Sequence, residues 1–170
     1  PHPHLRHVHL VDDALVVASR RDHPAGPTLT RTAYLAAGHV SVSPLGEPNT
    51  IDLLLRSDGR ERRIAMVCQH YFAACEIVAA GDLLLTLPRS YARHLHDVLP
   101  ISIHELPLSI RSYPILAYWH ESRDGDRALR RVLADDVAVE LVDDLFGRHV
   151  DAGIRYLGLY LVPAIRQLAL

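Results

Sequence analysis

The sequence predicts an α/β fold with a mostly parallel sheet, and three observations carry this prediction. Short apolar segments of β-type composition alternate with helical segments along the 170 residues. Parallel neighbours need a crossover connection, usually a helix, so this alternation favours a parallel sheet. Hydrophobic residues make up 49% and charged residues 22% of the chain, which is enough apolar surface for a core and excludes disorder as the main state.

The first elements are strands followed by a short helix and another strand. Val8–Ser19 consists of two apolar runs divided by Asp12-Asp13, which predicts two strands, or one strand and its continuation. Thr30 is a preferred N-cap residue and a glycine follows Ala37, so a helix is predicted over Arg31–Ala37. His39–Ser43 alternates polar and apolar residues, as a half-buried strand does.

The middle of the chain repeats this order twice. Asn49 or Thr50 caps a predicted helix that finishes near Asp58-Gly59. The segment Arg62–Val67 has strand composition, and Tyr71–Ala80 is predicted as a helix because a glycine terminates it. Asp82–Leu87 is nearly all apolar, which is typical of a strand that is covered on both faces.

The last elements include the longest predicted helix. Tyr91–Leu95 is predicted as a short helix after Pro88, and Ile101–Leu106 and Tyr113–His120 are predicted as strands. Leucine and valine recur at fourfold spacing within Asp126–Phe146, which predicts a long amphipathic helix.

Charge and cysteine usage exclude several classes of protein. The net charge is −2 and the isoelectric point about 6.7, so the chain has no global basic field that would hold a nucleic acid. Cys68 and Cys75 lie in apolar surroundings without a C-x-x-C spacing, which indicates reduced thiols in a cytoplasmic protein. The apolar run Tyr156–Val162 is shorter than the roughly 20 residues that span a bilayer, and no secretory signal is visible.

Catalytic and metal motifs are missing from the sequence. It contains no G-x-S-x-G elbow, no H-E-x-x-H zinc motif and no glycine-rich phosphate loop, so we expect no enzyme activity and no cofactor. His2, His4, His7 and His9 form a cluster of possible metal ligands. We expect no functional metal there, because the cluster lies at a chain start and lacks further ligands.

Five segments share motifs with one protein family. They are V-V-x-x-R-R-D-H-P at 16–24, Y-L-A-A-x-H-V-S-V-S-P at 34–44, H-Y-F-A-A at 70–74, D-L-L-L-T-L-P-R at 82–89, and L-P-L, Y-W-H and D-x-D between 106 and 126. In this order, over about residues 8–133, they resemble the effector-binding domain of LysR-type transcriptional regulators. The resemblance is to the nodulation-regulator and aromatic-catabolism branch.

The resemblance implies two α/β subdomains similar to those of type 2 periplasmic binding proteins. It assigns residues 1–27 to a remnant of the first effector subdomain with its crossing strands, and residues 28–112 to the second subdomain. Residues 113–170 would hold the return strand, the long helix and a C-terminal tail. It further implies that the helix-turn-helix and the first part of the effector domain are absent, so that DNA contact requires a domain outside this chain.

The implied function is sensing of a small aromatic or acidic molecule in a cleft between the subdomains, by a homodimer or tetramer. The candidate ligand-binding residues are Ser43, His70, Tyr71, Phe72, Thr86, Tyr118 and His120. Each has a structural alternative, such as a turn for Ser43, a helix cap for His70 and core packing for Phe72. Alternation places Tyr118 and His120 on one side of their strand and Trp119 on the other, and either side could line the cleft.

Two other functions remain open from the sequence. The chain could be a stand-alone small-molecule binding protein of the periplasmic-receptor type, which a secretion signal on the full gene would favour. It could also be a dimerising fragment that binds no ligand, because loss of one cleft wall should weaken affinity.

Overall fold

The structure, a computed structural model, describes residues 4–43, 48–127 and 160–163. These residues divide into two compact units. The smaller unit holds residues 4–13, 112–127 and 160–163, and the larger unit holds residues 14–43 and 48–111. The described strands are β1 Leu5–Asp13, β2 Leu15–Arg20, β3 Gly38–Val42, β4 Arg63–Cys68, β5 Leu83–Pro88, β6 Ile101–Glu105, β7 Tyr113–His120 and β8 Tyr160–Pro163. The described helices are α1 Arg31–Ala36, α2 Thr50–Ser57, α3 Tyr71–Ala80 and α4 Arg89–His96, with a 3-10 turn at Glu121–Arg123.

The predicted elements from β1 to β7 are all present. Helix α3 and strand β7 have the predicted bounds, and the Thr30 hydroxyl caps α1 by accepting a hydrogen bond from the Ala33 amide. Strand β1 begins earlier than predicted, at Leu5. The predicted helix Asp126–Phe146 lies outside the described residues from position 128 onward. Strand β8 was not predicted, because four residues within an apolar tail carry no strand-specific signal.

A five-stranded sheet in the order β4-β3-β5-β2-β6 forms the larger unit. Strand β3 pairs in parallel with β4 and β5, whereas β2 pairs antiparallel with β5 and β6. Four strands therefore run in one direction and β2 runs against them. The α/β class is confirmed, but the sheet is mixed rather than mostly parallel in its pairings, because β2 lies between two strands of opposite direction.

An apolar core covers one face of this sheet. Alternate residues of the strands, including Val16, Val40 and Leu85, point to this face and are fully buried. Helix α3 contributes Ala74 and Val78 to the same cluster. The intervening residues of β2 and β5 point to the second face of the sheet. There Val17 and Leu84 pack against Tyr34 of α1.

The second face also contains a buried polar cluster around one arginine. The Arg62 side chain is 1% exposed, and its Nε donates to Asp52 Oδ1 at 2.8 Å. One terminal nitrogen donates to the Tyr34 hydroxyl at 3.2 Å and to Thr86 Oγ1 at 3.4 Å, and the other donates to Asn49 Oδ1 at 3.2 Å. We call these five residues the Arg62 cluster. It joins α1, α2 and β5 through one planar group, which lysine could not do.

His39 lies beside this cluster in the interior. Its Nε2 donates to the Tyr34 carbonyl oxygen at 2.7 Å, and the two rings meet edge to face at 4.6 Å. Its Nδ1 has no hydrogen-bond partner among the described residues. Burial lowers the pKa of His39 from 6.5 to about 4, so the neutral imidazole is the form that the folded protein holds.

The smaller unit is an antiparallel sheet in the order β1-β7-β8. Strand β1 pairs with β7 along its length, from Leu5 opposite His120 to Asp13 opposite Tyr113, with an irregularity between His9 and Val11. Strand β8 pairs with the other edge of β7 from Ile115 to Tyr118.

Replacing Arg62 tests whether the cluster stabilises the larger unit. We expect Arg62→Ala to lower the free energy of unfolding by about 3–5 kcal/mol, because it leaves the Asp52 carboxylate without its charged partner in a nearly buried position. Arg62→Lys should recover only part of this loss. Urea denaturation measures both, and Arg63→Ala is the control because Arg63 is exposed. A loss below about 1 kcal/mol for Arg62→Ala would contradict the prediction.

The pKa of His39 predicts an acid-sensitive stability. The unfolded chain binds a proton at this histidine near pH 6.5 and the folded chain only near pH 4. The contribution of neutral His39 to the free energy of unfolding is therefore complete above pH 6.5. It is lost as the pH falls towards 4, by about 3 kcal/mol in all. His39→Phe should remove this component from unfolding curves recorded between pH 4 and 7, whereas His96→Phe, at an exposed site, should retain it. Equal pH dependence of the wild type and His39→Phe would refute the assignment.

Candidate functional site

Four of the predicted site residues lie at one edge of the larger sheet. Ser43 follows β3, and its amide donates to the Cys68 carbonyl oxygen at the end of β4 at 2.9 Å. Helix α3 begins three residues after Cys68, with His70 as its N-cap and Tyr71 and Phe72 in its first turn. The carboxyl ends of parallel strands are where open α/β sheets bind ligands. The structure therefore brings Ser43, His70, Tyr71 and Phe72 to a chemically suitable edge.

An open pocket lies next to Ser43. Its volume is about 190 Å³, and its polar wall includes Ser43, Asp52 and Arg62. Ile64 and Val67 of β4 contribute apolar side chains to its lining. The N-terminus of α2 is already satisfied here, because Asn49 and Asp52 form a reciprocal capping box. The Asn49 and Asp52 amides at this helix end therefore have partners within the chain itself.

The start of α3 presents two exposed aromatic side chains, His70 at the N-cap and Phe72 in the first turn. His70 is exposed and makes no side-chain hydrogen bond to the helix end. Phe72 is 42% exposed. Tyr71 instead packs into the apolar core, with its ring 5.4 Å from that of Tyr91, and burial raises the pKa of Tyr71. His70 and Phe72 are therefore accessible to a ligand, whereas Tyr71 supports them from within.

Thr86 is buried in the Arg62 cluster. Its hydroxyl lies 2.8 Å from the Tyr34 hydroxyl and accepts from Arg62. Burial raises the pKa of Tyr34, although the neighbouring Arg62 acts in the opposite direction, so the phenol stays protonated. In this structure Thr86 holds the sheet to α1, and its ligand role stays a prediction.

Arg62 is the residue of this region that sequence analysis missed. Arg60, Arg62 and Arg63 lie close together in the sequence, yet Arg62 alone of the three is buried. Its partners Tyr34 and Thr86 are 28 and 24 residues away in sequence. The one local signal that distinguishes Arg62 is its position immediately before β4. That signal alone does not predict burial.

Tyr118 and His120 lie in the smaller unit. The Tyr118 ring is 5.5 Å from that of His7, whereas Trp119 Nε1 donates to Asp124 Oδ1 at 2.7 Å. Tyr118 thus contacts a ring on the paired strand β1, whereas Trp119 is bonded to a residue that follows β7. His120 caps the 3-10 turn, because its Nδ1 accepts from the Ser122 amide at 3.2 Å.

The structure shows the surroundings of His4, His9 and Cys75. No group of three or more His, Cys, Asp or Glu side chains within residues 4–43, 48–127 and 160–163 is arranged to hold a metal ion. His4 and His9 instead pair with the carboxylates of Glu121 and Asp12, at 2.8 and 2.9 Å. Burial raises the pKa of Cys75 to about 12, so its thiol is a poor nucleophile at neutral pH.

No helix within the described part of the chain is long and apolar enough to span a bilayer.

The chain is similar in sequence to part of two curated bacterial proteins. Nodulation protein D 1 of Neorhizobium galegae is 25% identical over 135 residues, which cover 76% of this chain and 44% of the relative. The HTH-type transcriptional regulator SyrM of Rhizobium meliloti is 28% identical over 118 residues, which cover 66% of this chain and 35% of the relative. The chain thus spans less than half the length of these relatives.

Solved structures show the same fold. A Pseudomonas aeruginosa protein described as a probable transcriptional regulator is 30% identical, with a TM-score of 0.71 over 79% of this chain and 46% of that one. The regulatory domain of MexT, a transcriptional activator of the same organism, has a TM-score of 0.67 at 19% identity, over 82% of this chain and 66% of that domain. The likeness to MexT concerns the fold alone.

The family model described as the LysR substrate binding domain matches residues 1–135, which is most of the chain. This match confirms the family that the five motif segments indicate. The chain belongs to the LysR substrate-binding domain family.

Proposed function

We propose that this chain is the effector-sensing domain of a LysR-type bacterial transcriptional regulator that responds to a small aromatic acid. The observation that carries the proposal is the position of Ser43, His70 and Phe72 at one carboxyl edge of the sheet, within a domain of this family. We assign residues 28–112 to the second effector subdomain, with the segments before and after it as the crossing and return strands. We assign the protein to the cytoplasm.

The chemistry of this edge favours a carboxylate attached to a ring. The Ser43 hydroxyl and the His70 imidazole can donate hydrogen bonds to carboxylate oxygens. The exposed Phe72 ring offers an apolar surface on which an aromatic ring can stack. A ligand that carries both groups uses both features, whereas an aliphatic acid or a neutral aromatic compound uses only one.

Sensing requires that the ligand favour one of two conformations of the regulator. A preference of roughly 1–3 kcal/mol between them changes their ratio several-fold to a hundredfold. DNA contact in this proposal belongs to a helix-turn-helix domain outside this chain. One relative, SyrM, bears the name of an HTH-type regulator, which agrees with this arrangement. The ligand is bound and released unchanged, so the domain has no catalytic role.

Strand β4 supports the proposal of a homodimer, or a tetramer built from dimers. It is an edge strand of the described sheet, so one side of its backbone is unpaired there. Ile64, Met66 and Val67 are 37%, 43% and 56% exposed. Exposed apolar side chains on an unpaired strand edge are typical of a protein interface.

Calorimetric titration of the 170-residue chain with benzoate tests effector binding. We expect benzoate to bind, and both cyclohexanecarboxylate and benzamide to bind more weakly, because each lacks the aromatic ring or the charge. Ser43→Ala should weaken benzoate binding about tenfold, as expected for the loss of one hydrogen bond to a charged group. Ser57→Ala is the matched control, since Ser57 is an exposed serine at the end of α2. Absence of benzoate binding, or equal binding of benzamide, would sink the proposal.

Sedimentation equilibrium tests the interface on β4. Met66→Glu should weaken self-association at least about tenfold, because it places a charge in an apolar contact. Val98→Glu is the control, since Val98 is 62% exposed and follows α4, which packs beside β6 at the opposite edge of the sheet. If both variants associate as the wild type does, β4 is not the interface.

A further inference from the structure

The third strand of the smaller sheet comes from outside the family region. The family model covers residues 1–135, which include both β1 and β7. Strand β8 begins at Tyr160, beyond this region. Among the described residues of the family region, β1 is the strand that pairs with β7, and it pairs along one edge. In this chain the tail pairs with the second edge, over Ile115–Tyr118.

Strand β7 has the properties of a strand that requires a partner on both edges. Its sequence Tyr-Pro-Ile-Leu-Ala-Tyr-Trp-His has no Asp, Glu, Lys or Arg residue. Ile115 is 4% exposed and Ala117 is fully buried. An uncharged apolar strand with an open edge accepts another strand and promotes association. Edge strands that remain open usually have charges, prolines or bulges on them. The stretch Ile115–Tyr118 that pairs with β8 has no Asp, Glu, Lys or Arg, and the proline of β7, Pro114, lies just outside it.

The residues of β8 suit a short strand that terminates the sheet. Strand β8 contains two residues that favour strands, Tyr160 and Val162. Its first three residues each have a backbone N–H that can join the ladder of hydrogen bonds. Pro163 lies opposite Ile115 and has no N–H, so the ladder ends there on that strand. The strand is antiparallel to β7, as a returning segment of the same chain can be.

We propose that residues 160–163 are a self-complementing strand. They occupy an acceptor edge on β7 that otherwise binds an extended apolar segment in antiparallel orientation. The tail thereby closes this edge to other strands and prevents association through it. The proposal does not depend on effector binding, so its test is separate from that of the ligand.

Disulfide trapping tests the register and the origin of the strand. Ala117 lies directly opposite Leu161, and opposed residues of an antiparallel pair are within disulfide distance. In a background of Cys68→Ser and Cys75→Ala, the pair Ala117→Cys and Leu161→Cys should form a disulfide within one chain under oxidised glutathione. The matched pair Ala117→Cys and Val162→Cys should not, because a shift by one residue turns the side chain to the other face.

Three results of this trapping experiment decide the proposal. A monomer with the Ala117–Leu161 crosslink supports it. A disulfide-linked dimer would assign the strand to a second copy and overturn self-complementation. Equal crosslinking of both cysteine pairs, or of neither, would overturn the register on which the proposal depends.

Backbone substitution tests whether the edge accepts a strand. Leu161→Pro with Val162→Pro removes two N–H groups, whereas Leu161→Ala with Val162→Ala retains them. Hydrogen exchange by NMR should show about tenfold faster exchange of β7 amides that face β8 in the proline variant only. Amides of β7 that face β1, and those of the five-stranded sheet, should stay protected and report that the variant is folded.

A synthetic peptide of residues 158–165 completes the test. Added to the proline variant, it should restore protection of the β7 amides, and it should have no effect on the wild type, whose edge is occupied. Failure of the peptide to restore protection, or equal loss in the alanine variant, would overturn the proposal that a backbone ladder closes this edge. If the proline variant does not fold, the trapping experiment decides alone.

Discussion

The buried guanidinium of Arg62 is the interaction on which the second face of the sheet depends. A charge that is removed from water must be neutralised and hydrogen-bonded, and Asp52, Asn49, Tyr34 and Thr86 together meet this requirement. These partners belong to different elements, so satisfying one side chain positions α1, α2 and β5 together. Asn49 of this cluster also donates to the Ser41 hydroxyl of β3 at 3.1 Å, two residues before Ser43. The stability of the fold and the geometry of the proposed ligand edge thus share one polar cluster.

The two faces of the large sheet are stabilised by different physics. One face is an apolar core in which α3 packs on alternating strand residues, and its contribution scales with buried area. The other face mixes a small apolar cluster with directional hydrogen bonds, including the neutral His39 beside Tyr34. Apolar packing tolerates modest substitution, whereas a hydrogen-bonded cluster loses more when one member is removed. The proposed ligand edge is adjacent to this more specific face.

Two strand edges determine the strand interactions that we propose, one between copies of the chain and one within it. Strand β4 leaves an apolar edge open, which suits a homodimer, and strand β7 has its second edge occupied by the tail. Both edges obey the same constraint, because an unpaired row of backbone N–H and C=O groups pairs with whatever strand is available. A domain that must self-associate in one way benefits from an open edge at one place and a closed edge at another.

The sequence by itself determined the strands and helices up to β7 and the family, because caps, alternation and motif segments are local signals. It also located Ser43, His70 and Phe72 at strand and helix ends. Only the tertiary structure decided that Arg62 is buried while Arg63 is exposed, that Thr86 belongs to the same cluster, and that Tyr71 packs inward. It also placed β8 beside β7, across more than 40 residues of sequence. These outcomes depend on which distant residues converge, since burial and pairing are properties of partners that no local pattern encodes.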